Sequence, residues 1–103
     1  MREDKHFFYQ EVYNIVKQIP LGRVMTYGQI ARLIAKPQHS RMVGKSLHEA
    51  PSELNLPCHR VVNSKGRLAP FWHKQRILLR EEGILFKENG CVDLKKHLWQ
   101  LEI

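Results

Sequence analysis

Five prolines, at positions 20, 37, 51, 57 and 70, punctuate the 103-residue chain and bound the helices it can form. A proline inside a helix removes a backbone donor, clashes with the preceding turn and disfavours helical geometry in the residue before it. The longest run free of both proline and glycine is residues 1–19. Within it Phe8, Val12, Ile15, Val16 and Ile19 recur at i, i+4, i+7, i+8 and i+11, the spacing of one helical face. Its opposite face, Gln10, Glu11, Asn14 and Lys17, is mixed polar surface without a chemical theme. This helix is predicted to be scaffold, ended by Pro20 and Gly22.

Thr26 and Gln29 then form the S/T-x-x-E/Q capping box, which predicts a helix over 27–35 with Ile30, Leu33 and Ile34 inward. Pro37 breaks it, and His39 or Ser40 starts another helix running to about 49. There Met42, Val43 and Leu47 can pack back while Arg41, Lys45 and His48 stay exposed, and Gly44, costly in a helix interior, suggests close approach to another surface. Two short helices joined by a tight turn outline a helix-turn-helix, and equally an αα-hairpin with a solvated cationic face. A polar loop over 51–55 leads to Leu56-Pro57-Cys58-His59-Arg60-Val61-Val62, whose β-branched end predicts a short buried strand. The turn Asn63-Ser64-Lys65-Gly66 follows, then an apolar and aromatic loop, Arg67 to Trp72, that is either a core plug or one wall of a pocket. A helix over 73–82 with Ile77 and Leu78 inward, a strand at 84–86 returning at Cys91-Val92, and a last helical turn from Asp93 complete the reading. The fold class expected is mostly α with short β elements, in a single domain spanning 1–103.

The chemistry concentrates at Cys58. A cysteine is a nucleophile as its thiolate, and the free-thiol pKa of about 8.5 falls when cationic or proton-accepting groups lie close. His59 and Arg60 are such groups, so Cys58 is expected to be reactive at neutral pH; for an arbitrary Cys-His pair a small buried hydrophobe beside a core histidine would be the favoured reading, and the wider context here reverses it. Cys58 and Cys91 lie far apart without CxxC spacing, and the six histidines match neither HExxH nor a zinc finger, so no metal and no cofactor are expected. A formal net charge of +7 and a pI near 9.7 point to a polyanionic partner, nucleic acid first. The charged start Met1-Arg2-Glu3-Asp4-Lys5 is followed by no apolar run, and no stretch reaches membrane-spanning length. The expectation is a cytoplasmic monomer, on the nucleoid if bacterial, with both thiols reduced.

A tyrosine-bearing helix, a helix led by arginine, Pro-Cys-His-Arg-Val-Val, and a later Glu-Gly at a helix end together resemble the DNA-binding domain of the O6-alkylguanine-DNA alkyltransferases, from about Phe8 to Phe86. The resemblance implies a winged helix-turn-helix that flips a damaged guanine of double-stranded DNA into a pocket and transfers its alkyl group irreversibly to cysteine, one turnover per molecule. It makes Cys58 the acceptor, His59 the water-linked base and Glu82 the carboxylate that orients it. It makes Arg41 the side chain that enters the space left by the flipped base and Tyr27 the residue that crowds the phosphate, with Lys45 and Arg60 as further DNA contacts. Phe71 and Trp72 stand where a tyrosine and serine would bind the lesion, in a shorter loop. Ala50 replaces an asparagine, and Gln75 falls where lysine is usual. These departures and the tail Asp93 to Trp99 look like the small alkyltransferase-like proteins, which bind alkylated DNA without repairing it and flag it for excision-repair proteins. Those proteins usually replace the cysteine, and this chain keeps it. The complete Cys58-His59-Glu82 set favours the transferase over the sensor, and a winged-helix transcriptional regulator would leave Pro57 to Arg60 and Glu82 without a role.

Overall fold

The computed structural model describes residues 2–101. Helix α1, Arg2–Val16, buries Phe8, Val12, Tyr13, Ile15 and Val16 along one face, as the apolar period requires. The helix stops short of Ile19. Gln18 and Ile19 donate to carbonyls only three residues back, at 3.0 and 3.1 Å, which tightens the chain before Pro20 and still buries Ile19. Gly22, at φ +83°, completes the reversal.

Strand β1, Met25–Thr26, pairs in parallel with β2, Val61–Val62, in the register Met25 to Val61 and Thr26 to Val62, and all four residues are buried. The sequence pattern did not disclose β1, which is two residues long. The end of the chain lines its other edge: Val24 donates to the His97 carbonyl at 2.9 Å, and Trp99 donates to the Val24 carbonyl at 2.8 Å.

Thr26 caps helix α2, Tyr27–Leu33, in the predicted box: its hydroxyl accepts from the Gln29 amide at 3.0 Å, and the Gln29 carboxamide accepts from the Thr26 amide at 3.1 Å. The free end of Gln29 donates to the Trp99 carbonyl at 2.6 Å, so the cap also fastens the C-terminal segment. Helix α3, Ser40–His48, packs on α1 and α2 through Val43 and Ser46, while Tyr13 donates to the Ser46 carbonyl at 2.8 Å and Tyr9 to Glu49 at 2.9 Å. Arg41, Lys45 and His48 are left on the exposed face, as the pattern required.

Two further expectations are corrected. In α4, Lys74–Glu81, the inward residues are Gln75 and Leu79, with Leu78 half-buried, and Ile77 is 56% exposed because it sits two positions from Gln75, about 200° round the helix. The hairpin expected at 84–92 contracts to a single bridge between Phe86 and Val92. Leu85 donates to the His97 ring at 2.9 Å and Val92 to the Gly66 carbonyl at 2.8 Å, so their amides serve the turns instead of a ladder. Gly66, at φ +84°, admits no side chain, since a Cβ would lie 2.5 Å from the Val92 carbonyl oxygen. Helix α5, Leu94–His97, closes the domain. The helices α1 to α3 enclose one apolar cluster, and Val24, Val62, Leu79, Ile84 and Val92 form a second. Strand β2 joins the two, Val61 lining the first and Val62 the second, and Cys58 lies in the turn just before it.

Candidate functional site

The backbone after Pro57 makes one tight 3-10 turn, Cys58–Arg60, closed by the Arg60 amide on the Pro57 carbonyl at 2.9 Å, before it enters β2. That turn sends three consecutive side chains to different places. Cys58 faces a cavity of about 770 Å³ whose wall also includes Tyr27, Leu47, His59, Phe71 and Trp72. His59 and Arg60 both reach Glu82, at the C-cap of α4.

His59 Nε2 lies 2.7 Å from Glu82 Oε2. A carboxylate only accepts, so the neutral imidazole carries its proton on Nε2 and keeps the lone pair on Nδ1. The Arg60 guanidinium clamps the same carboxylate, with Nε at 3.0 and 3.1 Å from its two oxygens and Nη2 at 2.8 Å, while Nη1 donates to the Ile19 carbonyl at 2.8 Å. Burial alone would raise the Glu82 carboxyl. The hydrogen bonds from Arg60, then from His59 and the Gly22 amide, outweigh it and hold the carboxyl below its ordinary value.

The thiol departs from expectation. Its weak donor contact is to the Leu47 carbonyl at 3.9 Å, and burial pushes its pKa up, only partly offset by a backbone hydrogen bond. Arg60 does not lower it, because the guanidinium is committed to Glu82 and Ile19. Cys58 in the DNA-free protein should therefore react with iodoacetamide at a rate that is low at neutral pH and climbs through and beyond about pH 9. A rate that levels off below pH 8 would contradict the assignment. Cys91, 5% exposed, should label only when the domain opens.

The remaining predicted residues fall into two groups. Tyr27 and Trp72 join Cys58 and His59 in the cavity wall, and Phe71 stands at its open edge. Burial pushes the Tyr27 phenol up, so its hydroxyl stays a donor at physiological pH. Arg41 lines an adjoining recess with Tyr27, Ser40 and Gly44, and Lys45 is exposed one turn further along α3. At Gly44 a Cβ would meet the Tyr27 ring at 3.7 Å, ordinary contact, so the glycine is not demanded by that approach; its lack of a side chain leaves floor that both recesses share. Arg60, expected as a DNA contact, is instead turned inward. Gln75 is the residue that pattern reading missed: wholly buried, it accepts from the Ala69 amide at 2.8 Å and donates to the His59 and Val61 carbonyls, each at 3.1 Å. Its sequence signals were its departure from the lysine usual at that position in the resembled family and a polar side chain four residues before Leu79. Among the described residues no three His, Cys, Asp or Glu side chains gather as a metal ion requires.

Residues 7–84 match the family model described as 6-O-methylguanine DNA methyltransferase, DNA binding domain. The chain belongs to this family. A DNA base-flipping protein of Escherichia coli (strain K12) is 39% identical over 100 residues, which cover 94% of this chain and 78% of that protein. A methylated-DNA–protein-cysteine methyltransferase of Salmonella typhimurium is 37% identical over 81 residues, 76% of this chain and 47% of that one. Among solved structures, S. pombe Atl1 in complex with damaged DNA containing O6-carboxymethylguanine superposes with a TM-score of 0.81 at 33% identity, covering 93% of this chain and 97% of that one. The helix-turn-helix reading of α2 and α3 thus holds over the plain αα-hairpin. In this methyltransferase-family domain, α3 is the exposed cationic helix and the cavity adjoins it.

Proposed function

We propose that this protein binds double-stranded DNA containing O6-alkylguanine, rotates the modified base into the cavity beside α3, and takes its alkyl group onto Cys58 in a single turnover. The observation that carries the reading is the placement of Cys58 in the wall of that cavity with His59 next to it, held at 2.7 Å by Glu82. Extrahelical presentation is needed because an alkyl carbon on guanine O6 is out of reach inside a stacked duplex. The Cys58 thiol gives its proton to His59 Nδ1, through water because the thiol points to the Leu47 carbonyl. The imidazolium then faces a carboxylate that is ionised throughout the physiological range. The thiolate attacks the alkyl carbon, the S–C bond forms as the C–O6 bond breaks, and the electron pair stays with the base. Return of the proton yields neutral guanine and a Cys58 thioether. Nothing in the site cleaves a thioether, so the protein is consumed.

A second reading, in which the protein only marks the lesion for excision-repair proteins, draws support from the raised thiol pKa and from the likeness to Atl1, whose structure holds damaged DNA containing O6-carboxymethylguanine. Both readings require DNA binding, and both place the protein where DNA is, in the cytoplasm or on a nucleoid, as a monomer. No helix among the described residues is long and apolar enough to cross a membrane. Anisotropy titrations with lesion-bearing and undamaged duplexes test the shared step. Affinity should fall steeply between about 50 and 200 mM salt, as neutralised phosphates release counterions. Arg41→Ala should weaken lesion binding more than undamaged binding, because Arg41 is assigned to the vacated base position. A flat salt profile counts against DNA as the partner, and equal losses on both duplexes would make Arg41 an ordinary phosphate contact.

A further inference from the structure

Between Leu68 and α4 the chain forms a lip, residues 69–72, along the cavity. Phe71 sits at its crest at φ +66°, a left-handed conformation that disfavours a bulky side chain, and its side chain is 97% exposed. A strained, solvent-facing phenylalanine persists only where its surroundings hold it. The holding bonds come from one residue. Gln75 accepts from the Ala69 amide with its side chain at 2.8 Å and donates its own backbone amide to the Trp72 carbonyl at 3.1 Å, so both ends of the lip are attached to it. The other end of the same carboxamide donates to the carbonyls of His59 and Val61, on either side of Arg60, at 3.1 Å each.

We infer that Gln75 is a positioning residue that sets the width of the cavity for the modified base, by tying the lip that carries Phe71 and Trp72 to the turn that carries Cys58 and His59. This rests on reading the cavity as the lesion pocket. The linkage needs an acceptor and donors at one side-chain end, which a carboxamide supplies and which neither an ammonium nor a thioether does. Gln75 is itself 0% exposed, so it acts on the bound base only through the two segments it joins.

Two variants separate the components. Gln75→Lys keeps donors toward the His59 and Val61 carbonyls but loses the acceptor for Ala69, and Gln75→Met keeps the length and loses both. Amide hydrogen exchange by NMR should show Ala69 losing protection by about three- to tenfold in both variants, the factor one hydrogen bond is worth. The Ile84 amide, bonded to the Leu79 carbonyl at 3.1 Å, reports on whether α4 stays folded and should keep its protection. The preference for O6-methylguanine duplex over undamaged duplex should fall by about three- to tenfold in both, with undamaged binding retained. Retained Ala69 protection would overturn the attachment. Lost protection with an unchanged lesion preference would overturn the positioning role. Wild-type protein that binds the two duplexes equally would remove the lesion-pocket reading and the selectivity role with it, while the Ala69 exchange would still decide the attachment.

Discussion

In His59→Ala, alkyl transfer to Cys58 is expected to slow by about 10² to 10⁴, the range that a positioned general base supplies. Burial holds the Cys58 thiol protonated at neutral pH, so removing the group that takes its proton leaves almost no thiolate. The deficit should shrink as pH rises past about 9, where the thiol ionises without help. Glu82→Gln should slow transfer by a different route. A glutamine can donate to Nε2, which moves the ring proton to Nδ1 and removes the lone pair that the proposed transfer needs as proton acceptor. Quenched-flow transfer assays with an O6-methylguanine duplex, run beside binding titrations, separate chemistry from affinity. Transfer and binding that fall by the same factor in His59→Ala would show that His59 holds DNA and does not act as the base.

The largest expected effect on stability comes from Arg60→Met. It removes every guanidinium bond to Glu82 and the bond to the Ile19 carbonyl, leaving a mostly buried carboxylate with His59 and a long contact from the Gly22 amide at 3.4 Å. Breaking such a pair from one side costs about 3 kcal/mol, and for a domain of roughly 100 residues that lowers the melting temperature by more than about 10 °C. The pH dependence carries a definite sign. The Glu82 carboxyl is held below its ordinary 4.5 in the folded state, so its contribution is fully present above about pH 4.5 and is lost as pH falls through the folded value. Wild type and Arg60→Met should therefore differ most near neutral pH and converge in acid. Urea titrations at pH 7 and pH 3.5 check this, and a gap that widens in acid would refute the clamp.

What the chain disclosed in advance follows the range of its interactions. The α2 cap was legible because Thr26 and Gln29 meet within four residues, and the exposed face of α3 because Arg41, Lys45 and His48 follow helical spacing around Val43. Cys58, His59 and Glu82 were legible as a set only through the family resemblance, since nothing local says that α4 ends beside the turn after Pro57. The role of Arg60 could not be read, because adjacency to Cys58 suggests a thiol partner and its actual partners, Ile19 and Glu82, lie 41 and 22 residues away. Strand β1 was invisible for the same reason: two residues carry no period, and its identity depends on pairing with Val61 and Val62. Inward placement of Ile77 failed because a buried glutamine took the stripe that hydrophobicity assigned to an isoleucine.

Intact-mass measurement of the protein after incubation with excess O6-methylguanine duplex tests the central claim most directly. The expected result is a gain of one methyl group and no more per molecule, located on Cys58 by peptide mapping, absent in Cys58→Ser, and matched by plain guanine in the recovered DNA. An unchanged mass after prolonged incubation, with tight lesion binding that survives Cys58→Ala, would contradict transfer and leave the protein as a sensor of alkylated DNA.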